Sequence, residues 1–220
     1  MLERFRQFWT NVWAPLGNLF LRWGISPNTV TFVGTLGVVA GAVVFFPRGQ
    51  LLVGVLVITA FVFSDMIDGY MARTSGQVSL FGAFWDSTLD RVGDAAIFGG
   101  LAMYYAGPGD QNWFAALAIY CLSMGSVTSY ARARAESLGM QAKVGIAERA
   151  DRLVAILVVT GVADLVNRLG AGKDALWAIP VTLGVLAVAS TVTVVQRVLV
   201  VRDQARALAS ETDAGPRPGA

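Results

Sequence analysis

The chain has 220 residues, of which 55% are apolar and only 15% charged, with a mean hydropathy of +0.58. That apolar share exceeds an ordinary soluble domain's and points to lipid as the solvent, while a net charge of +2 is too small to argue for nucleic acid. With no histidine and a single cysteine, the chain excludes a histidine base, an imidazole metal site and an intrachain disulfide, so carboxylates must carry proton transfer and metal binding. The cysteine, Cys121, lies in an apolar run and reads as a packed core residue.

Residues 1–24 mix Phe, Trp and Leu with Arg and Glu, the pattern of an amphipathic helix lying in the membrane interface rather than of a signal peptide. Ser26-Pro27-Asn28 then supplies an N-cap with proline at the first helical position. Six apolar segments follow, at about 28–47, 51–74, 79–106, 111–138, 150–168 and 175–201, each long enough to span a bilayer. The predicted fold is an all-α integral membrane protein, because helices close their own backbone hydrogen bonds in lipid. Its membrane domain covers 25–205, followed by a tail, 206–220, predicted to be disordered from its polar, Gly- and Pro-containing end SETDAGPRPGA. Gly34, Gly37 and Gly41 recur along one side of the first span and predict close helix packing there. Of the 17 Lys and Arg residues, all but Arg48, Arg168 and Lys173 fall on the side holding both termini and the loops near residues 75 and 145. That asymmetry predicts cytoplasmic termini.

The second and third spans carry the chemistry. Asp65 and Asp68 are i,i+3, with Gly69 and Ala72 continuing their face, and Asp86 and Asp90 are i,i+4, one turn after Gly82. Acids at the ends of apolar helices are unfavourable unless compensated, and hard divalent cations such as Mg²⁺ or Mn²⁺ suit an all-oxygen ligand set. Ion pairs with Arg73 and Arg91 are the alternative, but two arginines do not neutralise four acids and leave the small residues unexplained. Gly69, Ala72 and Gly82 let a flat base or a phosphate approach the helix backbone, so a pocket beside the acids is expected.

The spacing D-x2-D-G-x2-A-R-x8-G-x3-D-x3-D, from Asp65 to Asp90, resembles the signature of the CDP-alcohol phosphatidyltransferases at every defined position. The resemblance implies two metal ions, one held by Asp65, Asp68 and Asp86, the other by Asp65, Asp86 and Asp90, with Asp90 also the general base. It further implies that Gly69, Arg73 and Ser79, together with Ser26, Pro27, Asn28 and Thr29, contact the CDP group of CDP-diacylglycerol, that CMP leaves, and that the protein is a homodimer in the cell membrane with its active site on the cytoplasmic side.

Arg132 and Arg134 lie near the end of one span, Arg152 opens the next, and Arg197 lies near the end of the last. Arginine is the forked donor preferred by phosphate oxygens, so these four predict an anionic, phosphorylated acceptor. Arg202 and Arg206 read instead as positive-inside residues. The segments SYARARAE, GIAERADR and TVTVVQR resemble those of the actinobacterial phosphatidylinositol phosphate synthases within the family, which implies inositol phosphate as acceptor. A phosphatidylglycerol phosphate synthase using glycerol 3-phosphate shares every catalytic residue, and a non-enzymatic lipid-binding or transport protein also carries intramembrane acids.

Overall fold

The computed structural model describes residues 14–76 and 79–213, all of them in helices and short links with no strand among them. Helix α1 is described over 14–22; the rest of the expected interfacial segment, 1–13, lies outside the described residues. Gly24, at φ +73°, turns the chain out of α1, a conformation glycine adopts without steric cost. Helix α2 (Pro27–Ala40) then starts at its predicted cap, with the Thr29 amide donating to Ser26 Oγ at 3.2 Å. It runs on through a π-helical turn (Gly41–Phe45) and a 3-10 turn (Phe46–Arg48). Helices α3 (Leu51–Val62) and α4 (Ser64–Thr74) meet at Phe63, and α5 (Leu80–Ala106), α6 (Asn112–Ser137), α7 (Arg149–Val166) and α8 (Ala178–Asp213) complete the chain.

The long helices close into a ring in which α2 packs on α5, α5 on α6, α6 on α8, α8 on α7, α7 on α3, and α3 back on α2. Phe46, Ile58, Ile97, Leu101, Ile156 and Leu183 fill the centre, and Cys121 is buried among them, its thiol 3.2 Å from the Leu183 carbonyl. Polarity runs opposite to that of a soluble bundle. Val154, Val158 and Val162 on α7, and Val181, Val185 and Val188 on α8, are more than half exposed, whereas Asp94, Arg152, Asp164 and Arg197 are buried. An apolar outer surface around polar inner groups is what lipid selects.

Among the described residues five helices are long and apolar enough to cross a membrane: 27–48, 51–74, 112–137, 149–170 and 174–210. The remaining segment predicted from sequence, at about 79–106, forms helix α5, whose 27 residues give it sufficient length, but Asp86, Asp90, Arg91 and Asp94 set its composition apart from a plain apolar span. Part of the tail differs from expectation, because α8 continues to Asp213 and residues 206–213 are helical, while 214–220 lie outside the described residues. Their Ala, Arg, Leu and Glu are strong helix formers that let the turn propagate. The glycine stripe packs as predicted: a Cβ on Gly34 would overlap Ser64, one on Gly37 would overlap the Phe61 ring, and one on Gly41 would stand 2.9 Å from Ile58.

Candidate active site

Antiparallel neighbours bring the start of α2, helix α4, the start of α5, the end of α6 and the start of α7 to one end of the ring, where α8 passes on beyond it. Among the described residues two cavities meet there. The first, of about 380 Å³, is lined by Pro27 and Asn28 of α2, Asp68, Gly69 and Ala72 of α4, and Ser79, Gly82, Asp86 and Asp90 at the start of α5, with Thr31, Ala83 and Arg149 completing the wall. Nine residues singled out from the sequence thus line one space. Local structure holds several of them. Ser79 caps α5, its Oγ accepting from the Gly82 amide at 2.9 Å, and the Trp85 indole donates to the Asn28 carbonyl at 3.3 Å, clamping α5 to α2. Asp68 is 8% exposed and accepts from the Thr31 hydroxyl at 2.6 Å, which fixes its carboxylate toward α2. Helix α1 backs the arrangement, with Tyr70 of α4 donating to Asn18 at 3.2 Å.

The glycines leave open volume. A Cβ on Gly82 would stand 3.2 Å from Ser79 Oγ and 3.5 Å from Asn28 Oδ1, and one on Gly69 would stand 3.4 Å from the Arg73 guanidinium, so only side-chain atoms face these positions. Arg73 itself is exposed beside Gly69 and does not line the cavity; Ser26 and Thr29 form the α2 cap just outside it. Asp86 faces solvent and has no ion pair among the described residues, and Asp90 meets Arg149 at 2.8 Å and Arg91 at 3.9 Å. Arg149, rather than Arg73, is therefore the principal cation at the acids. Asp65 lies in α4 one turn before Asp68, and its side chain is outside the described residues. Among the described residues no three acids close into a finished ligand cage. The donor set itself, three carboxylates around one cavity and no nitrogen or sulfur ligand in its wall, fits a hard divalent cation in its chemistry.

The second cavity, of about 430 Å³, shares Asp90 and Arg149 with the first and adds Arg91, Thr128, Ser129, Arg132, Arg152 and Arg197. Arg152 is 2% exposed; its Nη1 donates to the Ala147 carbonyl at 3.1 Å, and its guanidinium fits a recess at Gly125, where a Cβ would stand 3.2 Å from Nη2. Arg197 is 4% exposed and donates to the carbonyls of Val144 at 2.9 Å and Thr128 at 2.6 Å. Neither has a carboxylate partner within ion-pair distance among the described residues. Arg91, Arg132, Arg149, Arg152 and Arg197 outnumber Asp90, Glu136 and Glu148 in the cavity wall, and among the described residues the two buried arginines are hydrogen-bonded only to carbonyls, so the site has excess positive charge, ready for an anion.

The α6–α7 link is held against α8 by the same group of side chains. Thr193 Oγ1 accepts from the amides of Ile146 at 3.2 Å and Ala147 at 3.3 Å, and Gln204 pairs with the Gln141 backbone. Gly145, at φ +143°, passes so close to Thr193 that a Cβ there would overlap its methyl. Arg134, predicted from sequence to join the phosphate-binding group, does not line the cavity; it is exposed and reaches the Ser137 hydroxyl at 3.3 Å. Arg91, weighed from the sequence as an ion-pair partner of the acids, does stand beside Asp90, whereas Arg149 takes a place at the site that the sequence did not reveal. The available signal for Arg149 was its i,i+3 relation to Arg152 at the head of α7, where it is the first helical residue inside the capping box of Glu148 and Asp151.

A 50% identical relative, the phosphatidylinositol phosphate synthase of Streptomyces avermitilis, aligns over 205 residues covering 92% of this chain and 83% of that protein. The same-named protein of Cutibacterium acnes is 48% identical over 92% of this chain and 98% of its own. Among solved structures, Mycobacterium tuberculosis phosphatidylinositol phosphate synthase with CDP-DAG bound superposes with a TM-score of 0.81 at 38% identity, covering 87% of this chain and 94% of that one. Its complex with manganese and citrate gives a TM-score of 0.78 at 39% identity, over 85% and 87% of the two chains. A ring of helices with an acid-lined cavity at one end agrees with these likenesses, and the CDP-alcohol phosphatidyltransferase profile matches residues 24–209, nearly the whole described structure, so the chain belongs to that family.

Proposed function

We propose that this enzyme transfers the phosphatidyl group of CDP-diacylglycerol to a hydroxyl of inositol phosphate, releasing CMP. The observation that carries the choice of acceptor is the buried pair Arg152 and Arg197, which have no carboxylate partners among the described residues and line a cavity that joins the acid-lined one at Asp90 and Arg149. The manganese-bound and CDP-DAG-bound relatives support a divalent cofactor and the lipid donor.

In this reading the CDP group lies against Gly69, Ala72 and Gly82, near the free amides at the heads of α2 and α5, where backbone N–H groups favour anionic and polar atoms. Arg73 and the Ser26–Thr29 cap contribute from the rim. Asp65, Asp68, Asp86 and Asp90 hold Mg²⁺ or Mn²⁺, two ions in all, which supply positive charge for the pyrophosphate and the departing CMP. Arg132, Arg152 and Arg197 hold the acceptor phosphate and so orient the inositol hydroxyl toward Asp90. Asp90 accepts the hydroxyl proton as the oxygen bonds to the phosphatidyl phosphorus and the bond to CMP breaks. The charge asymmetry supports a cytoplasmic position for this end and both termini, with α5 also crossing the cell membrane, and the family resemblance supports a homodimer.

The test is CMP release by the purified full-length protein with CDP-diacylglycerol and, in parallel, inositol phosphate, free inositol or glycerol 3-phosphate. Inositol phosphate is expected to give the highest kcat/KM; a higher value with either competitor overturns the acceptor assignment and leaves the transferase chemistry standing. Asp90→Asn is expected to lower kcat by about a hundredfold or more while changing CDP-diacylglycerol binding much less, as removal of a general base should. Equal losses in lipid affinity and turnover would assign Asp90 a purely ligating role.

A further inference from the structure

Asp94 lies outside the D-x2-D-G spacing and lines neither cavity, yet it is a carboxylate only 5% exposed, one turn beyond Asp90 on α5. Such burial is unfavourable without close positive charge. Its oxygens are divided between two arginines: Oδ1 accepts from Arg149 Nε at 3.0 Å, and Oδ2 stands 3.5 Å from Arg91 Nη1. The same two arginines meet Asp90, Arg149 at 2.8 Å and Arg91 at 3.9 Å. Each guanidinium therefore joins a buried acid to a cavity-facing one, and Arg91 also bonds Ser129 of α6.

We propose that Asp94 is a positioning residue for phosphatidyl transfer: it anchors Arg149 and Arg91 at the wall between the cavities, so that both guanidiniums remain there for the anionic acceptor when a divalent ion takes Asp90. The inference rests on the reading of Asp90 as a metal ligand. A cation at Asp90 and a guanidinium 2.8 Å from the same carboxylate compete for its oxygens. With Asp94 in place, each arginine retains a partner after Asp90 is taken. Without it, Asp90 is the one carboxylate left to both arginines among the described residues, and they oppose the ion.

The experiment measures Mn²⁺ binding to the full-length enzyme in detergent by electron paramagnetic resonance, without substrate, together with KM for both substrates. Asp94→Asn, equal in shape but uncharged, is expected to weaken Mn²⁺ binding about tenfold and to raise KM for inositol phosphate about tenfold, with KM for CDP-diacylglycerol within about twofold. In an Arg149→Ala background the same substitution should change Mn²⁺ affinity by about threefold at most, because its hydrogen-bonded partner is gone. Unchanged Mn²⁺ affinity and acceptor KM in Asp94→Asn overturn the proposal, as do equal rises in both KM values or an undiminished effect without Arg149. Asp90→Asn separates the two readings. If it weakens Mn²⁺ binding and Asp94→Asn does not, only the positioning role falls; if Asp90→Asn leaves Mn²⁺ binding intact, the metal reading falls as well. Should Asp94→Asn fail to fold, Arg149→Lys carries the test: one ammonium cannot hold both acids, so acceptor KM should rise about fivefold, and an unchanged value overturns the proposal.

Discussion

Asp86→Asn is expected to lower CMP release by at least about a thousandfold while leaving a folded membrane protein, since loss of a critical metal ligand removes several kcal/mol of transition-state stabilisation and each ~1.4 kcal/mol is tenfold in rate. The residue faces the cavity from an exposed position and has no ion pair among the described residues, so its charge does little for the fold. Asp68→Asn should lose activity to a similar degree at a larger cost in stability, because Asp68 is buried and accepts the Thr31 hydroxyl. EDTA should stop the wild-type enzyme, with Mg²⁺ or Mn²⁺ restoring it. Near-wild-type turnover in purified Asp86→Asn, with the thermal midpoint unchanged, would sink the metal assignment.

The carboxylate cavity was legible in the sequence because its determinants are local. The i,i+3 and i,i+4 spacings place each acid pair on one helix face, and small residues one turn away leave that face open. The cap at Ser26 and the packing stripe at Gly34, Gly37 and Gly41 follow from the same short-range geometry. Features that depend on which helices meet were harder to read. Arg149 reaches Asp90 and Asp94 only because the ring brings the head of α7 within side-chain reach of α5, ion pairs spanning more than fifty residues. Arg134 lines neither cavity for a simple helical reason: it is two residues from Arg132, and positions two apart on a helix do not face the same way. With Arg132 on the cavity wall, Arg134 must point elsewhere, and it does. Likewise α5 is a helix of spanning length whose early turns carry the site's charge, so chemistry dilutes the very apolar signal by which a span is recognised.

Arg152→Ala and Arg197→Ala are each expected to lower kcat/KM for inositol phosphate by roughly ten- to hundredfold while sparing KM for CDP-diacylglycerol, since a charge-assisted contact to a charged group contributes about 1.5–3 kcal/mol. The two side chains come from different helices but line one cavity, and carbonyls already occupy Nη1 of Arg152 and Nε and Nη1 of Arg197. Those bonds fix the guanidinium planes and leave the remaining donors for phosphate. Removing Arg197 also strips donors from the Val144 and Thr128 carbonyls, so part of its effect should appear as a lower thermal midpoint. Arg152→Lys separates the two causes: it keeps the charge but loses the fork, and should recover only part of the acceptor affinity. Arg134→Ala, on the outer face of α6, should stay within about twofold of wild type. The decisive quantity is the preference for inositol phosphate over free inositol. It should shrink in Arg152→Ala and Arg197→Ala, because free inositol has no phosphate for these residues to hold. If both variants lose activity with the two acceptors equally, the arginines support the fold of the α6–α7 link and the phosphate is bound elsewhere.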